Sequence, residues 1–271
     1  MSGVAAEPSL LATLLLGLLQ GLTEFLPISS SGHLVLAQTV LDAPTKGIVL
    51  EVILHAGTLL AVLVAFRRDL WTMLSDGAIY LRRPRGVTAP EGVQELGRLV
   101  LATLPIVVVG VLGRAAIEDV FENPRAAAFC LLVTGLLLLA TRFAPARGRR
   151  PNAGIALIMG LMQVVSLLPG ISRSGATISG GMLAGGEPRA TARFSFLMSV
   201  PAILGSVVIE LPNLLSGWTR GALLTYGAGF ALAFLSGLAA ISLLLRVVGQ
   251  GRFFLFGIYC LVLGLVGIIL L

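Results

Sequence analysis

The chain has 271 residues, 56% of them hydrophobic and only 12% charged, with a mean hydropathy of +0.98. A water-soluble domain of this length covers its surface with far more charge, so lipid is the solvent for most of this chain. The sequence pI of about 10.3 would suit a nucleic-acid partner only if the basic residues formed a patch, and their distribution assigns them to topology instead.

In chain order, the first apolar run covers 10–20. It is not expected to be a signal peptide, because Glu7 is the only charge before it and no small-x-small cleavage site follows. Residues 10–26 and 33–42 are each too short or too interrupted to cross a bilayer, which takes roughly 17–25 residues. Pro27-Ile28-Ser29-Ser30-Ser31-Gly32 separates them. Spans are expected near 47–66, 97–113 and 124–142, with one extended polar stretch at 82–95. A second interrupted pair, 153–168 and 174–186, flanks Pro169-Gly170-Ile171-Ser172-Arg173-Ser174-Gly175. Further spans are expected near 191–210, 222–246 and 253–271. Irregular backbone survives at membrane depth only where protein buries it or water reaches it, so both interrupted segments read as re-entrant helix-loop-helix hairpins. Cys130 and Cys260 each stand alone in an apolar run, with no spacing for a metal site or a disulfide.

Of the 19 Lys and Arg residues, fourteen fall in alternate connections: Arg67, Arg68, Arg82, Arg83, Arg85, Arg98, Arg142, Arg147, Arg149, Arg150, Arg189, Arg193, Arg246 and Arg252. Four lie at the other ends of the spans, namely Lys46, Arg114, Arg125 and Arg220, and Arg173 lies in a break. The positive-inside rule makes the fourteen cytoplasmic and both termini external. The hairpins also match at a constant offset of 143: Gly17 with Gly160, Gln20 with Gln163, Ile28-Ser29 with Ile171-Ser172, Ser31-Gly32 with Ser174-Gly175. Each hairpin precedes three spans, an odd number, which inverts the second copy. The expected fold is an all-α polytopic membrane protein with about six transmembrane helices and two re-entrant hairpins. It forms one domain, 1–271, arranged as an inverted-topology repeat of about 1–142 and 143–271, with the site where the breaks meet.

An ionisable residue inside a membrane costs roughly 2.5–3.5 kcal/mol at a helix centre and marks function by default. Glu24, His33 and Arg173 all sit at the breaks. Arg173 follows Pro169-Gly170 between two serines and precedes an apolar run. The small residues free backbone N–H groups for a ligand, a helix N-terminus favours anions, and a guanidinium binds phosphate through two parallel bonds. Gly170, Ser172, Ser174 and Thr177 complete this anion cradle. In the first break, Ser30 and His33 are three apart and share a face if a helix starts near Ser30, which suits a hydroxyl nucleophile beside its base. Glu24 either orients His33 or, with Gln20 one turn earlier, ligates a hard divalent cation. Ser29 and Ser31 either cap the helix or bind substrate. Glu51 and His55, one turn apart on the next span, read as a pair that either packs or supports the site residues from behind, and Glu210 has no assigned role.

Gln20-Gly21-Leu22-Thr23-Glu24-Phe25-Leu26-Pro27-Ile28-Ser29-Ser30-Ser31-Gly32-His33 resembles the first signature of bacterial undecaprenyl pyrophosphate phosphatases of the bacitracin-resistance type, and Pro169 to Thr177 resembles the second. The likeness extends through 51–66 and 178–205 to essentially the whole chain. It implies hydrolysis of undecaprenyl pyrophosphate to the monophosphate, recycling the carrier for cell-wall synthesis, with dependence on a divalent cation, Mg2+ or Ca2+. Glu24, Ser30, His33 and Arg173 fall on the family's essential positions. Gln20 stands where many members have glutamate, which weakens its claim as a metal ligand, and Ser31 replaces a common threonine while keeping the hydroxyl. The expected partners are the polyprenyl pyrophosphate and membrane lipids, with no nucleic acid; an oligomer is compatible with the sequence and not specified by it. The expected place is the bacterial cytoplasmic membrane, with the site facing the external side. Either Ser30 attacks with His33 as base, or His33 attacks with Ser30 as phosphate ligand. A transporter or flippase is the rival class, since inverted repeats with midplane breaks also mark alternating access.

Overall fold

The computed structural model describes residues 9–33, 48–82, 88–113, 123–145, 148–209 and 220–270. The second arm of the first hairpin, apart from its start at His33, lies outside them, as do Lys46, Arg83, Arg85, Arg114, Arg147 and Glu210. The named helices are α1 (Leu10–Phe25), α2 (Ile48–Ala65), α3 (Arg67–Arg82), α4 (Glu91–Leu112), α5 (Pro124–Ala140), α6 (Ala153–Val165), α7 (Arg173–Leu183), α8 (Pro188–Ile209), α9 (Arg220–Gly249) and α10 (Leu255–Leu270). Among the described residues the regular structure is all helical apart from one isolated backbone bridge.

Local chemistry sets the helix starts. Ser9, Asn123, Asn152 and Ser172 each accept a backbone N–H from the first turn of α1, α5, α6 and α7, and Pro124 occupies the first position of α5, where its missing N–H costs nothing. Each of the six expected spans falls on a helix. Four of them, in α4, α5, α8 and α9, are long and apolar enough to cross alone. α2 meets the test only with α3, from which it is bent by 73°. α10 has 16 residues, about 24 Å of helix, somewhat less than a hydrocarbon core of about 30 Å.

The helix α3 was not expected. It begins with Arg67, Arg68 and Asp69, yet exposes Trp71, Leu74, Ile79 and Leu81. A helix that opens on charge and carries exposed apolar side chains suits the membrane interface, which explains its sharp departure from α2. Periodicity was hidden here because the charges at its start read as the end of a span.

The second hairpin is re-entrant in the structure. α6 and α7 have 13 and 11 residues, about 20 and 16 Å, and neither reaches across a bilayer. The chain returns to where it entered: Arg149 pairs with Gly186, and the Glu187 N–H donates to the Arg149 carbonyl at 2.8 Å.

The packing of the two hairpins runs in parallel. α1 lies along α9 and α6 lies along α4. Gly17 meets the backbone of Gly229 so closely that a Cβ would stand 2.5 Å from its carbonyl oxygen, and Gly160 meets the backbone of Ala102 in the same way. The third expected spans of each half, α5 and α10, pack on each other. Phe25, Phe66 and Phe196 interlock at the centre, with ring centroids 5.6 and 5.7 Å apart.

At Gly160 there is no room for a branched side chain against the α4 backbone. Gly160→Val is expected to destabilise the fold by about 1–3 kcal/mol through overpacking. Thermal unfolding in detergent checks this, and an unchanged Tm would contradict the close helix contact.

Candidate active site

The first break starts where α1 stops before Pro27, with Leu26 in an extended conformation. Ser29 then adopts φ 65°, the left-handed region that a non-glycine residue enters only at a cost. Its strained backbone turns the chain into a new helix running from Ser30 to His33, where the described segment ends. Ser29 Oγ accepts the Gly32 N–H at 3.2 Å and lies 3.3 Å from Ser31 Oγ. In the second break, Ser172 Oγ accepts the Gly175 N–H at 3.1 Å and lies 3.3 Å from Ser174 Oγ. The two breaks therefore carry one capping arrangement, 143 residues apart. Gly170, at φ 92°, makes the turn before the second helix, and Thr134 of α5 secures it by donating to the Gly170 carbonyl and accepting the Ser172 N–H.

At the first helical position after each cap stand Ser30 and Arg173, and both reach Glu24. Ser30 Oγ donates to Glu24 Oε2 at 3.0 Å, and an Arg173 guanidinium nitrogen donates to Oε1 at 2.5 Å. Gln20 Nε2 also donates to Oε2, at 3.0 Å. The Glu24 side chain is 8% exposed and that of Arg173 is 18%, so this charge pair is largely withdrawn from solvent. His55 of α2 brings Nε2 to 3.7 Å from Oε2. Glu24, Ser30, His55 and Arg173, with Ser29, Ser31, Ser166, Ser172 and Ser206, line a cavity of about 330 Å³.

Not every expected residue joins them. His33 turns away from Ser30: its Nδ1 donates to its own Ser29 carbonyl at 2.7 Å. Its Nε2 accepts from the Tyr259 hydroxyl of α10, also at 2.7 Å, and the two rings stack 5.7 Å apart. The helix starts at Ser30 as the spacing requires, but these contacts engage both ring nitrogens, and His33 does not line the cavity. The expected Ser30–His33 pair is thus replaced by Ser30–Glu24. Thr177 is fully buried, tying the Arg173 carbonyl to Ser195 of α8. Ser174 and Gly170 are structural parts of the cap and turn and do not line the cavity. Gln20 is buried behind Glu24, which it orients.

Three residues outrun the sequence reading. Tyr259 carried a weak signal, a phenol alone within a highly apolar span, where a hydroxyl facing lipid needs a partner. Thr134 carried none. His55 was read as packing or supporting the site from behind, because sequence distance hides its approach to Glu24.

Residues 13–266 match the family described as "Bacitracin resistance protein BacA". This chain belongs to that family. It is 41% identical over 258 residues to an undecaprenyl-diphosphatase from Desulfosudis oleivorans, covering 92% of this chain and 94% of the relative. It is similar at 40% identity over 268 residues to one from Salinibacter ruber, covering 95% and 98%. At 39% identity over 257 residues it resembles one from Korarchaeum cryptofilum, covering 93% and 95%. Members of the BacA family are multi-pass membrane proteins, and the exposed apolar faces of these helices fit that setting.

Removing Glu24 leaves a buried guanidinium without its counter-charge, which costs about 3–5 kcal/mol in comparable sites. Glu24→Gln is therefore expected to lower the Tm more than the double variant Glu24→Gln/Arg173→Gln. Additive losses in that double-mutant cycle would show that the two side chains do not interact.

Proposed function

We propose that the cavity between the two breaks receives the pyrophosphate of a polyprenyl lipid and that Ser30 attacks it. The chain is an undecaprenyl-diphosphatase of the membrane, hydrolysing undecaprenyl diphosphate to undecaprenyl phosphate and inorganic phosphate. This step returns the lipid carrier to cell-wall synthesis and underlies bacitracin resistance. The observation that carries the mechanism is the convergence of Ser30 and Arg173, from equivalent positions of the two breaks, on one carboxylate.

The incoming pyrophosphate competes with Glu24 for Arg173, whose planar fork suits phosphate oxygens and whose position opens α7. Glu24 then loses its counter-charge and becomes a better acceptor for the Ser30 proton. Ser30 Oγ forms a bond to the terminal phosphorus as the P–O bond to undecaprenyl phosphate breaks. As water then cleaves the phosphoserine, Glu24 returns its proton to the departing Ser30 Oγ, takes one from the attacking water, and finally releases that proton to solvent. Arg173 and the N–H groups of the second break balance the charge that builds on the phosphoryl oxygens. His33 acts as a positioning residue: held by Tyr259, it braces the strained turn that aims Ser30.

A divalent cation, Mg2+ or Ca2+, would neutralise the pyrophosphate and assist departure of the leaving group. Among the described residues no group of three or more His, Cys, Asp or Glu could cage such an ion. The donors fit an ion bound mainly by the pyrophosphate and anchored through Glu24, as Mg2+ usually is in phosphoryl-transfer sites. Gln20 drops from this set because its amide nitrogen is engaged by Glu24 and it does not line the cavity.

The site faces the external side of the bacterial cytoplasmic membrane, both termini are external, and the halves 1–142 and 143–271 are inverted copies. Support comes from the ends of the spans: Arg193 of α8 binds Asp69 of α3 and Glu95 of α4, and Arg150 binds Glu91. This gathers the Arg-rich ends on one face, while Ile106 and Ser206, farther along α4 and α8, line the cavity.

Ser30→Ala is expected to abolish phosphate release from undecaprenyl diphosphate by the purified protein in detergent. Arg173→Lys is expected to lower kcat by about 10²-fold or more, since a point charge does not replace the fork. Near-normal turnover in Ser30→Ala would remove Ser30 as the nucleophile. No release by the wild type with any divalent cation would favour a transporter, whose activity requires two compartments.

A further inference from the structure

His55 stands in the site cavity without a role in the steps above. Its Nδ1 lies 2.8 Å from the Glu51 carbonyl oxygen. A carbonyl can only accept, so Nδ1 carries the hydrogen, and in the tautomer with that single ring proton Nε2 presents a lone pair. That lone pair faces Glu24 Oε2 at 3.7 Å, too far for a hydrogen bond. Two electron-pair donors facing each other repel unless a cation, either a proton on the ring or a metal ion, lies between them. Imidazole nitrogen and carboxylate oxygen each bind first-row ions at about 2.0–2.2 Å, so donors 3.7 Å apart can share one ion.

The surroundings of the pair are those of a ligand set. Metal-binding histidines almost always donate their other ring N–H to a carbonyl or carboxylate, as His55 does to Glu51. Glu24 is oriented by Arg173, which donates to Oε1, and by Gln20 and Ser30, which donate to Oε2, the oxygen that His55 also approaches. The His55 side chain is 33% exposed, which leaves an ion between the two open to ligands in the cavity.

We propose that His55 Nε2 and Glu24 Oε2 are the two protein ligands of the divalent cation, whose remaining positions are filled by pyrophosphate oxygens. The proposal rests on the phosphatase reading of the same cavity, and it replaces Gln20 by His55 in the ligand set. It also predicts selectivity. Oxygen-only sites suit Mg2+ and Ca2+, whereas an imidazole ligand draws the site toward first-row transition ions, of which Mn2+ readily accepts carboxylate and phosphate oxygens as well.

The test uses the purified full chain in detergent with Mn2+ and methylenediphosphonate, a pyrophosphate analogue whose P–C–P bridge cannot be hydrolysed. Pulsed EPR of the bound Mn2+ is expected to show the coupling of a directly coordinated nitrogen. That coupling should survive in His33→Gln and vanish in His55→Gln, with Mn2+ affinity falling about tenfold or more. Labelling the wild type with ¹⁵N-histidine should change the nitrogen signal with no substitution at all, which keeps the test decisive if a variant misfolds. Bound Mn2+ without nitrogen coupling in the wild type, coupling that persists in His55→Gln, or no Mn2+ binding to the folded wild type would each overturn the assignment. If wild-type phosphate release proceeds while the coupling is absent, the cation assignment alone is wrong. If release is also absent, the phosphatase reading falls with it.

Discussion

Glu24 and Arg173 are 149 residues apart in sequence and 2.5 Å apart in space, and most of the site depends on that meeting. A lone carboxylate or guanidinium at this depth is costly, and each makes the other tolerable. The pair also closes the gap between two hairpins that otherwise touch through caps and apolar packing. Because Glu24 is already held by Gln20 and Ser30, the arginine does not merely neutralise it; it completes a hydrogen-bonded network in which the candidate nucleophile is a member. A ligand able to draw Arg173 away from Glu24 must itself be a strong, multidentate anion, which is what a pyrophosphate offers. The resting ion pair thus selects for its own displacement by the substrate's chemistry.

The capping geometry explains how one motif serves two purposes. Ser29 and Ser172 each accept the N–H three residues on, and each pairs with the serine two residues on. These bonds fix the direction of the next residue's side chain, the first of the helix. With the scaffold the same in both breaks, the identity of that one residue decides the outcome. A small hydroxyl at Ser30 gives a group able to attack; a long guanidinium at Arg173 gives a group able to hold. The strained φ of Ser29 has its counterpart in the extended φ of Ser172, so the breaks agree in hydrogen bonding while differing in how the chain arrives.

Much of this was legible in the sequence because lipid imposes simple rules. Six apolar stretches coincide with helices, and the second break shows the expected re-entrant form, since backbone that leaves a helix inside a membrane must be buried and satisfied. Glu24, Ser30 and Arg173 were found by the rarity of ionisable and clustered hydroxyl residues in an apolar chain. What stayed hidden was direction. The i,i+3 spacing puts Ser30 and His33 on one helix face, but a carbonyl at Ser29 and a phenol 226 residues away turn the imidazole elsewhere. His55 was undervalued for the converse reason: its neighbour in function lies on another helix. Thr177 has the right type and spacing for a phosphate ligand, yet α8 supplies Ser195 and claims its hydroxyl. α3 escaped because an interfacial helix has too much charge for a span and too much apolar surface for a loop.

The two ends of the molecule are built differently, and that difference bears on what the site can do. At the Arg-rich end, Arg193 is held by two carboxylates from two other helices, tying α3, α4 and α8 together around a highly charged cavity of about 640 Å³. At the other end the ion pair Glu24–Arg173 lies in the wall of the site cavity, which also includes apolar Ile106, Ala202 and Ile203 beside the serines. A lipid pyrophosphate needs a polar pocket for its head and an apolar path for its tail, and the second arrangement offers both. Hydrolysis requires only that one side be open, whereas transport would require the Arg193 clamp to part as well. An enzyme with a single open face is the simpler consequence of this asymmetry.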